Sequence, residues 1–377
     1  MMNKSEWKKV KLEECANINM GQSPISSSYN INGDGIPFYQ GNADFGELYP
    51  KLRYFCNKPI KIANEKDLLL SVRAPIGKIN IAKTSCCIGR GLCAITPKRD
   101  IILQKYLYYI LKYKEDEFNS KGTGSTFKAI NKKQILETML LLPNIDIQKN
   151  IILKLENCEK LLKLKKEQFL NLEKLVKFQF LKMFGMGSND MKHIGDIANI
   201  CRGASPRPIS KYVTNENDGV NWIKIGDVSE KDIYITHTSE KITKDGAKKS
   251  RAVEPGDFIL SNSMSFGRPY LVGINGCVHD GWLIISGYQE YLDPLFFYYE
   301  LRSDLVQRQF NGSANGSCVK NLNSDLVKKV KIYVPPKEQQ ILFADFVKKV
   351  DKSKVELQKS IDETQLLFDS LMDRYFG

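Results

Sequence analysis

The stretch "FNSKGTGSTFKAINKKQILETMLLLP", Phe118 to Pro143, returns 192 positions later as "FNGSANGSCVKNLNSDLVKKVKIYVP", Phe310 to Pro335, without a gap. Seven of the 26 aligned positions are identical: Phe118/Phe310, Asn119/Asn311, Gly124/Gly316, Ser125/Ser317, Lys128/Lys320, Asn131/Asn323 and Pro143/Pro335. Each copy reads as a Gly/Ser/Asn loop, then a short helix begun by Asn131 or Asn323, then a strand stopped by proline.

The duplication extends outward from this stretch. "LEECANINMGQSP" (Leu12 to Pro24) matches "IGDIANICRGASP" (Ile194 to Pro206), and "DLLLSVRAPIGK" (Asp67 to Lys78) matches "DFILSNSMSFGR" (Asp257 to Arg268). "LYYILK" (Leu107 to Lys112) matches "FYYELR" (Phe297 to Arg302). A period this long marks duplicated domains rather than a solenoid. Within each half a Gly-X-Ser-Pro turn (Gly21–Pro24, Gly203–Pro206) is followed by strand-like runs, "IPFYQG" then "LLLSV", and "VNWIKIG" then "FILSN". One aromatic helix comes next in each, "LQKYLYYILKYKEDEF" or "DPLFFYYELRSDLVQRQF". The expected unit is an α+β domain of about 140 residues, present twice.

After each closing proline the sequence turns helical. From Ile147 to Phe184 there is no proline or glycine, and apolar residues recur every seven positions: Leu155, Leu162, Phe169, Val176, Met183. The second copy aligns Val347, Lys354, Ile361, Phe368 and Tyr375, with a companion seam at Val350, Leu357, Thr364 and Leu371. The companion seam of the first helix is Cys158, Lys165, Leu172 and Gln179, so neither helix can seal itself. Heptads this long predict a coiled coil. The expected interface is Leu155, Leu162, Phe169, Leu172 and Val176 against Val347, Val350, Leu357, Ile361, Phe368 and Leu371. Net charges of +5 on residues 148–185 and −1 on 337–377 favour the two helices pairing with each other.

The whole chain of 377 residues carries a formal charge of +13. Residues 1–147 hold +8 of it and residues 186–336 only +1, so the excess lies in the first half. Such a balance predicts a polyanionic partner, most often nucleic acid. Nine cysteines without regular spacing, two of them adjacent (Cys86, Cys87), read as reduced thiols of a cytosolic protein, placed in strands or core. Three dispersed histidines, and "CCIGRGLC" with no second ligand pair, give no metal site. No apolar run is long enough for a membrane span, and no signal peptide is expected.

Catalytic motifs are missing. "FGMGS" (Phe184 to Ser188) follows a helix instead of a strand and reads as a linker, not as a cofactor loop. "GTGSTFK" lacks nucleotide-loop spacing, and the only Pro-Pro, in "VPPK", lacks the aromatic of an amino-methyltransferase motif. His279 and Asp280 are adjacent, which builds no nucleophile–base array. What remains is a repeated set of polar residues on strand-end loops. These are Gln40, Asn42, Arg73, Lys78 and Arg90 in the first half, and Lys224, Asp227, Asn262, Ser263 and Arg268 in the second. Such side chains read base edges in a major groove. The Gly/Ser loops add Ser125 with Lys128, and Ser317 with Lys320, as phosphate-binding candidates.

Taken together, the Gly-X-Ser-Pro starts, "LLLSVRAPIGKI", "FILSNSMSFGRPYL", the Pro-acidic-Gln exits ("PNIDIQ", "PPKEQQ") and the helix after each resemble one family over essentially the whole chain. It is the specificity subunit of type I restriction–modification systems. The resemblance implies two target-recognition domains (1–146 and 188–336), each reading one half of a split target in double-stranded DNA. It implies that the following spacer helices (147–187 and 337–377) pair as an antiparallel coiled coil. The subunit itself would be non-catalytic. Two DNA adenine methyltransferase subunits would carry S-adenosylmethionine, and restriction/translocase subunits would use ATP, in the bacterial cytoplasm. Alternatives are a recognition subunit of a different restriction–methylation assembly and a structural coiled-coil adaptor.

Overall fold

The computed structural model describes residues 4–123, 128–185, 190–230, 232–262, 267–313 and 322–377. Four helices organise the chain: α1 (Gln104–Tyr113), α2 (Ile145–Phe184), α3 (Pro294–Leu301) and α4 (Lys337–Phe376). The chain divides into two compact units, one up to Lys166 together with Lys359–Gly377, the other Glu167–Gln358. Each unit therefore holds part of both long helices.

The first unit contains a four-stranded antiparallel sheet in the order Ala16–Met20, Leu92–Pro97, Leu68–Ser71, Ile79–Ile81. A five-stranded sheet runs Tyr29–Asn30, Tyr54–Cys56, Ile36–Tyr39, Cys86–Ile88, Ile62–Ala63, with its third and fourth strands parallel. The central strand Leu68–Ser71 is buried on both faces, as its unbroken apolar run requires. Cys86 and Cys87 are core strand residues, as expected.

In the second unit the same order recurs: Asn199–Arg202, Trp282–Ser286, Phe258–Ser261, Pro269–Val272, to which Tyr234–Ile235 adds a fifth strand. Its other sheet runs Val213–Thr214, Glu240–Ile242, Val220–Ile223, Gly276–Val278, Arg251–Val253, again with a parallel pair at strands three and four. Sequence identity is low, yet the connections coincide. The small helices near the repeat's end also coincide: Asn131 accepts from the Gln134 N–H at 3.0 Å, and Asn323 from the Leu326 N–H at 2.9 Å.

One expectation needs correction. Each aromatic segment is two helices rather than one, α1 then Glu115–Lys121, and α3 then Asp304–Ser313. The chain leaves helical geometry at Lys114 (ψ 12°), and α3 ends at its C-cap Arg302, before the Ser303 hydroxyl accepts from the Val306 N–H. The bend lets Phe118 and Phe310, both fully buried, return to the core.

The long helices pair antiparallel. In the first unit Tyr109 of α1 donates to Glu159 of α2 at 2.7 Å, and its ring stands 6.5 Å from Phe368 of α4. Six residues further along α2, Lys165 reaches Ser360, eight residues earlier on α4. In the second unit the order is reversed: Phe180 and Phe184 near the end of α2 pack on Phe343 near the start of α4, at 5.3 and 5.7 Å. Leu155, Leu162, Val176, Val347, Val350, Ile361 and Phe368 are buried, whereas Phe169, Leu172, Leu357 and Leu371 are half-buried. At the end of α2 the buried residues are Phe180 and Phe184 in place of Gln179 and Met183, and on α4 Met372 is buried beside Leu371. A helix of 3.6 residues per turn drifts from a strict seven-residue count, which moves the seam by one position at its ends.

Candidate nucleic-acid interface

In the first unit the parallel strands Ile36–Tyr39 and Cys86–Ile88 end together, which places Gln40 against the turn Gly89–Gly91. The N–H of Gly89 donates to the Tyr39 carbonyl at 2.8 Å and that of Gly91 to the Gln40 carbonyl at 3.1 Å. Glycine is required at both positions. A Cβ would lie 2.9 Å from the Gln40 Cα at Gly89 and 2.5 Å from its carbonyl oxygen at Gly91. Arg90, between them, is therefore lifted outward, and its N–H donates to the Ser23 hydroxyl of the Gly-X-Ser-Pro turn at 3.2 Å. Buried Asp44 accepts from the Gln40 N–H at 2.7 Å and closes the short turn that carries Asn42.

The result is a cleft of about 500 Å³ lined by Gln40, Asn42, Arg53, Tyr54, Arg73 and Arg90, among others. Arg53 lies 3.8 Å from Asp44, but among the described residues no carboxylate pairs with Arg73 or Arg90. Their guanidinium groups are exposed and available to an anion or to a base edge. Four of the expected residues thus converge: Gln40, Asn42, Arg73 and Arg90. Lys128 is exposed, and its carbonyl accepts from the N–H of Ala74, itself a cleft residue, at 3.3 Å. Lys78 does not line the cleft and pairs with Glu115 at 2.7 Å. Ser125, Ser263, Ser317 and Lys320 lie outside the described residues.

The second unit builds the same place from different chemistry. Its cleft, also about 500 Å³, is lined by Ser205, Arg207, Trp222, Lys224, Glu240 and His279, with others. Lys224 stands where Gln40 does, its N–H donating to Asp227 as that of Gln40 donates to Asp44. His279 and Asp280 replace Gly89 and Arg90, and the Asp280 N–H again meets the turn serine, Ser205, at 3.3 Å. The Ser205 hydroxyl, donating at 2.8 Å, holds the Asp280 carboxyl below the ordinary range. Burial lowers the His279 pKa, which keeps the ring neutral. Here the cations are engaged: Lys224 with Glu240 at 2.6 Å, Arg207 with Asp280 at 3.6 Å, and Arg268 with Glu230 at 2.5 Å.

Three expectations change in this unit. Asn262 is buried and its amide donates to the Asp280 carbonyl at 2.9 Å, so it braces the loop and presents no free amide. Asp227 accepts from Lys224 and Ser239 and shapes its turn. Arg268 is held outside the cleft lining. Sequence reasoning missed Arg53, Tyr54, Arg207 and Trp222, and considered His279 and Asp280 only as catalytic residues. The alignment of "IGRG" with "VHDG" held the signal for the last two, because both follow the strand that pairs in parallel.

A family model of the type I restriction modification DNA specificity domain matches the chain twice, over residues 4–174 and 186–364. The chain belongs to this family. The specificity-domain match includes most of both long helices as well as the sheets. The chain is 41% identical to the putative type I restriction enzyme MjaX specificity subunit of Methanocaldococcus jannaschii over 43% of its own length and 38% of that protein. A putative type I restriction enzyme specificity subunit of Haemophilus influenzae is 26% identical over 89% of this chain and 84% of its own. The aligned part thus spans well under half of the archaeal relative. The fold is shared with the S subunit of the type I restriction–modification system from M. genitalium, with a TM-score of 0.57, 16% identity and coverage of 99% and 96% of the two chains. Among the described residues no group of three or more His, Cys, Asp or Glu side chains is placed to hold a metal ion. Among the same residues no helix is long and apolar enough to cross a membrane.

Proposed function

We propose that this specificity-domain protein is the DNA-recognition subunit of a type I restriction–modification assembly and reads a split target, one half with each cleft. The observation that carries the reading is a single scaffold position with opposite chemistry: Arg90, which lines the first cleft, and Asp280, next to the lining residue His279 at the edge of the second, each with its N–H donating to a serine of the Gly-X-Ser-Pro turn. Conserving the support while changing the tip is what two different half-sites require, since arginine donates to guanine and a carboxylate accepts from cytosine. Residues 1–146 and 188–336 act as target-recognition domains, and 147–187 with 337–377 as spacer helices. The subunit is non-catalytic and directs partner methyltransferase and restriction subunits, which hold S-adenosylmethionine and ATP, within the bacterial cytoplasm.

Mapping modified adenines in cells that express the chain with its methyltransferase partner tests this reading. A bipartite methylated motif whose one half alone relaxes in Arg90→Ala supports it. A motif indifferent to both clefts, or none, favours a coiled-coil adaptor.

A further inference from the structure

Lys165 occupies a seam position of α2, yet it faces no carboxylate among the described residues. Its Nζ donates to the Ser360 carbonyl at 3.0 Å, to the Ser360 hydroxyl at 2.7 Å and to the Thr364 hydroxyl at 2.7 Å. Thr364 is itself buried and donates back to the Ser360 carbonyl at 2.7 Å. The neighbouring seam residues Leu162 and Ile361 are buried, so a closed polar cluster sits inside an apolar stripe.

The duplication shows what this cluster discriminates. At the repeat offset of 192, Lys165 corresponds to Leu357, Ser360 to Gln168, and Thr364 to Leu172. Pairing α2 with α4 sets lysine against two hydroxyls at one site and, by the repeat register, leucine against Leu172 and Gln168 at the other. Pairing α2 with α2 of a second copy, in the same register, sets each of two lysines against Leu172 and Gln168, with neither hydroxyl to accept from it. Pairing α4 with α4 sets each of two leucines against Ser360 and Thr364. A half-buried donor that loses its partners weakens the pairing, and a single polar seam residue is known to fix the partner and register of coiled coils.

We propose that Lys165 determines which helix α2 accepts: α4, and not the α2 of a second copy. The inference concerns pairing alone and stands whether or not the clefts read DNA.

The test uses the 377-residue chain and light scattering across a concentration series, with circular dichroism to confirm helix content. Wild type stays monomeric. Lys165→Leu removes the mismatch from the α2–α2 arrangement and raises self-association by about tenfold or more. The reciprocal swap, Lys165→Thr with Thr364→Lys, restores the α2–α4 match. It also sets the introduced lysine against Leu357 whenever two copies pair through α4, so it returns the chain to monomer. A merely structural lysine gives no such rescue. The proposal is overturned if Lys165→Leu associates no more than wild type, or if the swap associates as strongly as the single variant. Should Lys165→Leu lose helix content, Lys165→Met carries the same expectation.

Discussion

Gln148 and Gln340, 192 residues apart, make the same three hydrogen bonds. The Gln148 side chain accepts from the Leu103 N–H at 2.8 Å and donates to the Ile101 and Pro143 carbonyls at 3.0 and 2.9 Å. Gln340 accepts from the Asp293 N–H at 2.7 Å and donates to the Tyr291 and Pro335 carbonyls at 3.0 and 2.8 Å. Both side chains are fully buried, and each ties the entry of an aromatic helix to the proline that ends the globular part.

Replacing Gln340 by Leu strands one N–H and two carbonyls in the interior. The expected loss is about 2–4 kcal/mol from the unfolding of the second unit, with Gln148→Leu doing the same to the first. Denaturant unfolding followed by tryptophan fluorescence separates the two, because Trp222 and Trp282 lie in the second unit and Trp7 in the first.

Glu300 is 3% exposed, and burial pushes its carboxyl up to about 7 although the Tyr333 N–H donates to it at 2.9 Å. The folded state therefore holds a proton that the unfolded state has released. The resulting stability is complete below the ordinary glutamate pKa and is lost as pH rises through about 7, a swing of about 3 kcal/mol. Glu300→Gln keeps the acceptor and removes the titration. Unfolding free energies at a series of pH values from about 4 to 8 are expected to fall less steeply in the variant than in wild type.

Salt dependence distinguishes the two clefts. In the assembled complex, Arg73→Ala or Arg90→Ala lowers the slope of log K against log salt by about 1 if the side chain meets phosphate, or relaxes one base of the first half-site if it meets a base. Lys224→Ala changes the slope less, because Glu240 already neutralises that lysine. Equal slopes for the two variants contradict this.

Asn131→Ala and Asn323→Ala each remove a helix cap and cost about 1 kcal/mol, while Asn→Gly at either position costs only a few tenths. Thermal unfolding of the four variants checks the ranking.

The sequence made the duplication, the caps and the core of the helical seam legible, because each depends on local spacing. Asn131 and Asn323 stood before apolar periodicity, and Leu155 through Val176 kept a heptad count. The clefts were only half legible. Gln40 and Arg90 follow strands that the sequence marks, but Tyr54 opens, and Arg53 immediately precedes, a strand whose neighbours are set by tertiary pairing. Asn262 looked free because nothing local announces that Asp280, eighteen residues on, offers it a carbonyl. The break at Lys114 was hidden for the same reason: helix periodicity continued, while burial of Phe118 demanded a turn.

The first unit is not contiguous. Its aromatic helix packs Tyr106 against Phe376 at 5.4 Å and Tyr109 against Phe368, residues that belong to the far end of α4. The second unit, by contrast, runs unbroken from Glu167 to Gln358. On the ribosome the order of completion is thus the reverse of the order of synthesis. The half made second can close first, and the half made first waits, with Tyr106 and Tyr109 lacking their ring partners Phe376 and Phe368, until the last residues of α4 emerge.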